Sequence, residues 1–246
     1  MIGRGPGPAA LALLVLVLAS GPVAAQDVSV SLGDDGSLTA RGIQLFVLIT
    51  LLSLVPGLAI MITCFPFVVT VLSILRQAIG LQQSPPNMLM VSLALFLTYF
   101  VMDPVFRQSW EMGVSPLLNE EIAVEEAFQR TLGPFRTFMA ARLDPDTFEA
   151  LAALRPDVAG TAPAPDAPLS VLVPSFLLSE IARAFQIGFL IFLPFLIIDL
   201  VVAAILMSMG MMMVPPAIVS LPFKLAFFVV ADGWSLISSA LVRSYF

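Results

Sequence analysis

The sequence contains no histidine and a single cysteine, Cys64. Imidazole acid/base chemistry, Cys/His zinc sites and intrachain disulfides are thereby excluded. Charge is also scarce: 11% of residues are Asp, Glu, Lys or Arg, against about 25% in an ordinary soluble domain. The charges sum to −6, the wrong sign for a surface that must neutralise phosphates, which argues against nucleic acid. Neither GxxxxGK[ST] nor GxGxxG occurs, so a nucleotide site has no support. No cofactor and no metal are expected, and the chain does not read as an enzyme.

What is present is apolar. Hydrophobic residues make up 59% of the chain and mean hydropathy is +1.01, the composition of a membrane protein with lipid as one partner. Residues 1–25 read as a cleavable signal peptide: Arg4, an apolar core from Ala9 to Ala19 too short to span, then Gly21-Pro22 and Ala24-Ala25. Residues 26–41 form a polar segment expected outside the cytoplasm.

The first apolar hairpin is assigned to residues 42–102. Its opening run, Gly42 to Leu75, is uncharged and punctuated by Pro56-Gly57 and Pro66, so it reads as one kinked crossing. The loop LRQAIGLQQSPPN, closed by Pro85-Pro86, leads into an apolar helix from Met88 that Asp103-Pro104 is expected to end. Residues 103–170 carry eleven acidic against five basic side chains and read as a water-exposed, partly helical segment. Within it, EEAFQRTLGPFRTFMAARL has helical apolar spacing and GTAPAPDAPLS reads as a linker. A second apolar hairpin fills 171–246, and between Ala184 and Ala231 only Asp199 and Lys224 are charged. The expected fold is all-α, with about four apolar helices. The lone Arg76 favours the first loop as cytoplasmic, which leaves the acidic segment periplasmic.

The turn of the second hairpin reads MSMGMMMVPP, where Pro215-Pro216 must break the helix. Were the helix to continue, Met209, Met212 and Met213 would share a face, with Gly210 permitting close approach. Broken backbone at membrane depth must be buried in protein or line a watery cavity, and methionine deforms readily. Two readings stay open: methionine as filler in a helix interface, or a turn at an oligomer axis where methionines from several copies close a pore. Asp199 and Lys224, about equally far from the turn, can meet as a structural ion pair or serve as a proton relay. The relay underlies the alternative reading, a secondary transporter or proton channel. Asp199 and Asp232 lack the setting of an intramembrane protease, Cys64 reads as an inert buried thiol, and Trp110, Trp234, Tyr99 and Tyr245 are candidate interface anchors.

The stretches LRQAIGLQQSPPN, LALFLTYFVMDPV and FLLSEIARAFQIGFLIFLPFLIIDLVVAAILMSMGMMMVPPAIVSLPFKLAFFVVADGW closely resemble the FliP family, the P subunit of the flagellar and related type III export gates. The resemblance implies an inner-membrane subunit that forms a homopentamer with Q- and R-type partners, in a conical assembly passing unfolded proteins. It implies a pore gasket at Met209, Met211, Met212 and Met213, and apolar hairpins that rise out of the bilayer plane. Two departures stand out: Cys64-Phe65-Pro66-Phe67-Val68 where the family has an SFTRI-like pattern with a basic residue, and AARLDPDTF after Phe138-Met139 where a QTRE-like stretch is usual.

Overall fold

The computed structural model describes residues 38–81, 85–211 and 213–246. The signal peptide and most of the polar N-terminal segment lie outside the described residues. Every regular element described is helical, and no strand occurs among the described residues. Three helical stretches are long and apolar enough to cross a membrane, Arg41–Met61, Asn87–Leu118 and Leu169–Ser208. A fourth is possible if the pair Pro216–Val230 and Gly233–Arg243, bent by 62°, counts as one span. This agrees with the all-α fold expected, in which about four apolar helices were counted.

Helix α1 is Leu38–Met61, and its part up to Thr50 belongs to a unit separate from Leu51–Phe246. Helix α2 is Phe65–Ile79, so the uncharged run expected as one kinked crossing is two helices. The break falls at Ile62–Cys64, where Thr63 Oγ1 donates to the Ile60 carbonyl (2.8 Å) and accepts from the Phe65 amide (3.3 Å). Pro56 lies inside α1 without ending it, and Pro66 sits in the first turn of α2. There its missing N–H is one that no helix would use, so it starts an element and does not interrupt one.

Helix α3, Asn87–Ser109, runs through Asp103-Pro104, which was expected to end it. Asp103 Oδ2 lies 2.9 Å from Arg107 Nε one turn on, an ion pair that brackets the proline. A single π turn, Trp110–Val114, and a short α4, Ser115–Leu118, follow. Helices α5, Val124–Arg142, and α6, Pro145–Ala153, complete the acidic segment. Asp144 caps α6 by accepting from the Thr147 amide at 3.1 Å.

Helix α7 is 40 residues long, Leu169–Ser208, and is followed by α8, Pro216–Val230, and α9, Gly233–Arg243. At 1.5 Å per residue α7 measures about 60 Å, about twice a bilayer's hydrocarbon thickness. Its first turns pack on the acidic segment. Val171, Leu172 and Phe176 close a core with Met139, Leu143, Phe148 and Ala152. A second core gathers Phe67, Leu72 and Leu75 of α2, Ala94 and Met102 of α3, Ala184 and Phe195 of α7, Phe228 of α8 and Leu241 of α9. Phe138 packs on both. Helices α2 and α7 approach closely at Gly188, where a Cβ would stand 2.4 Å from Ile74 Cδ1.

Candidate functional site: the methionine turn and the buried charges behind it

Helix α7 ends because Gly210 adopts φ 73°, a left-handed conformation that glycine takes without strain. The Gly210 amide then donates to the Met207 carbonyl (3.1 Å) and the Met211 amide to the Leu206 carbonyl (3.0 Å), satisfying groups the helix leaves open. Helix α7 therefore does not continue through the methionines, so the face that a continued helix would have given Met209 and Met213 is absent, as the break expected at this stretch requires. Gly210 serves the turn, since nothing lies within 4 Å of a Cβ built on it. Pro215 is extended and Pro216 opens α8, the position where proline costs no hydrogen bond. Pro86 caps α3 in the same manner, with Pro85 just before it.

Met207, Met209 and Met211 are exposed and Met213 is 97% exposed, while Met212 lies outside the described residues. Behind the turn, α7 and α8 flank an open, wholly apolar groove of about 450 Å³ lined by Ile197, Val201, Ile205, Leu206, Met209, Val219 and Phe223.

About three turns from the methionines, α7 and α8 are joined by charge. Lys224 Nζ lies 2.6 Å from Asp199 Oδ2 and donates to the Ala78 carbonyl at 3.1 Å. The Ser220 hydroxyl donates to Asp199 Oδ1 at 2.6 Å. The lysine side chain is 7% exposed and the aspartate 33%. The ammonium thus sits where the last turn of α2 has spare carbonyls and a negative dipole end, so three helices meet at one cation. Ser220, one turn before Lys224, was readable as a same-face neighbour. The Ala78 carbonyl carries no side-chain signal and was not.

A further buried carboxylate went unread in the sequence. Glu180 on α7 is 0% exposed. Arg142, the last residue of α5, donates from Nε to Glu180 Oε1 at 3.2 Å, with Nη2 3.1 Å from the same oxygen. Arg142 Nη1 donates to the Ser244 carbonyl at 2.7 Å, and its guanidinium lies 4.0 Å over the Tyr245 ring. The Tyr245 hydroxyl donates to Glu180 Oε2. Burial, and next the adjacent Glu180 carboxylate, push the Tyr245 phenol up, so it remains a donor. Tyr245, a candidate interface anchor in the sequence, instead packs on Phe67 and Phe138. Nearby, burial pushes the Cys64 thiol up to about 12, which keeps it unreactive. Among the described residues no group of three His, Cys, Asp or Glu side chains could hold a metal.

The sequence pattern of the FliP family matches residues 48–241, which takes in both apolar hairpins, the acidic segment and the methionine turn. The chain belongs to the FliP family. It is 48% identical over 229 residues to the flagellar biosynthetic protein FliP of Caulobacter vibrioides, covering 93% of this chain and 86% of that one. With the FliP of Agrobacterium fabrum it shares 51% over 214 residues, 86% of each chain. With that of Aquifex aeolicus it shares 43% over 232 residues, 94% of this chain and 97% of the other. Inside the FliP match lie Asp199, Lys224, Glu180 and Arg142, together with Met209, Met211 and Met213.

Proposed function

We propose that this chain is a channel-forming subunit of the flagellar protein export gate, built into the inner membrane with its acidic segment on the periplasmic side. Family membership, through relatives that are named flagellar biosynthetic proteins, supports the assignment to flagellar assembly. The observation that carries the channel reading is the turn: exposed methionines at the tip of a broken, membrane-length arm, with a buried ion pair bracing the arm behind them. In a homopentamer joined by Q- and R-type partners, Met209, Met211, Met212 and Met213 of each copy meet at the axis as a gasket. Apolar, unbranched side chains exclude water from a narrow opening and still deform around an unfolded polypeptide. The apolar surface left on α1, α3, α7 and α8 is then covered by neighbouring copies, partner subunits and lipid.

The transporter alternative asks Asp199 and Lys224 to release and rebind protons. Their engagement with Ser220 and the Ala78 carbonyl favours a brace. Native mass measurement of the detergent-extracted complex tests the reading. A pentameric chain stoichiometry with additional small subunits is expected, and a monomer or dimer would overturn it.

A further inference from the structure

The arm that begins at the methionine turn is held by few buried groups. On α8 these are Ser220, Lys224 and Phe228, and on α9 they are Gly233 and Leu241. Between the two helices the chain bends by 62° through Asp232, whose φ of 47° is left-handed. The inner side of the bend is tightly packed around Phe228. A Cβ on Gly233 would stand 2.2 Å from the Phe228 ring, and Trp234 meets the same ring edge-on with centroids 5.4 Å apart. A displacement of α9 is therefore passed to α8, because close-packed groups transmit strain. What holds the far end of α9 is the cluster around Glu180.

We propose that Arg142 is a positioning residue for the methionine turn: by binding Glu180 and the Ser244 carbonyl together, it fixes the far end of the arm and so the reach of the turn. The proposal rests on the gasket reading for its functional readout, but the positioning itself does not. Three features of Arg142 make it the organiser. It joins three separate parts of the fold, as the last residue of α5, the partner of α7 and the clamp on the residues after α9. Its planar fork reaches a carboxylate oxygen and a carbonyl at once, which an ammonium cannot do with the same geometry. Its cationic face covers the Tyr245 ring while the Tyr245 hydroxyl takes the other Glu180 oxygen, so each of the three side chains orients the other two. Arg183, 3.7 Å from Glu180 Oε1 and more exposed, is too long a contact to replace it.

The experiment uses the assembled complex, with hydrogen exchange followed by mass spectrometry and leakage of a small solute as paired readouts. Arg142→Ala leaves Glu180 buried without its main partner, so failure to assemble is expected and is not the test. Tyr245→Phe keeps the ring and removes one hydrogen bond to a charged group, and Arg142→Lys keeps the charge and removes the fork. Both are expected to assemble, to raise exchange over 233–246 about tenfold, the scale of one such bond, and to carry the increase into 216–224 with greater leakage. Ser239→Ala, on the exposed side of α9, is the control and leaves all three unchanged. Increased exchange confined to 233–246, with 216–224 as in the parent, overturns the positioning role. Spread of exchange to 216–224 without leakage, in a complex whose methionine-to-alanine variant is also tight, supports positioning and overturns the gasket instead.

Discussion

Lys224 on α8 reaches across to Asp199 on α7 and, in the same step, to the Ala78 carbonyl at the end of α2. One cation thereby ties the second hairpin to itself and to the first. Lys224→Ala removes the tie and leaves the aspartate facing apolar helices with only Ser220. A loss of about 3 kcal/mol is expected, at the lower end for a buried pair because Asp199 is a third exposed. Asp199→Asn should restore part of the loss in the double variant. Yield of assembled complex and its thermal midpoint are the measurements, and strictly additive single and double variants would rule out the pair.

Replacing Met209, Met211, Met212 and Met213 together by alanine shortens the side chains without touching Gly210 or the prolines that shape the turn. The complex is expected to assemble as the parent does and to leak small ions or dyes in a vesicle assay. An assembled variant as tight as the parent defeats the gasket.

Gly210 is needed for its backbone, since no neighbour crowds it. Alanine there is expected to cost about 1 kcal/mol through its left-handed φ, and asparagine, which tolerates that region, less. Thermal unfolding of the purified complex separates the two, and equal costs would mean that the residue's conformation is not what matters.

In the acidic segment two glycines should respond oppositely. A Cβ on Gly113 in the π turn would stand 2.7 Å from the Thr131 amide nitrogen and 2.8 Å from the Ala127 carbonyl oxygen, backbone atoms that cannot step aside. Gly113→Ala is expected to destabilise by about 1–3 kcal/mol. Gly133, inside α5 with open space around it, should gain about 0.5–1 kcal/mol on becoming alanine. Chemical denaturation checks both signs.

The sequence carried the apolar arms, the turn and the two lone charges, because hydropathy and isolated charge are local signals. Prolines misled it in a consistent way. Pro104 was given a break that α3 passes through, while Pro66 was taken as a kink within one crossing and stands at a beginning. Proline removes one donor wherever it falls, and only the tertiary setting decides whether that bond is missed. Gly210 shows the same dependence on setting. Gly210 was weighed as a small residue for close packing, and its use is a positive φ that ends the helix. Glu180 and Arg142 stayed invisible because 38 residues separate them and each stands among ordinary amphipathic neighbours. A buried pair of that kind is a property of the fold, not of any window of sequence.

Glu180 and Asp199 sit on one unbroken rod, α7, about 29 Å apart along its axis. A force that tilts the rod at Glu180 must drag Asp199 with it, so the two clusters cannot shift independently while the rod stays rigid. Pro194 lies between them and takes one bond out of the helical ladder. It is the weak link of the transmission, and load between the Glu180 clamp and the Asp199 brace passes through it as current passes through a fuse.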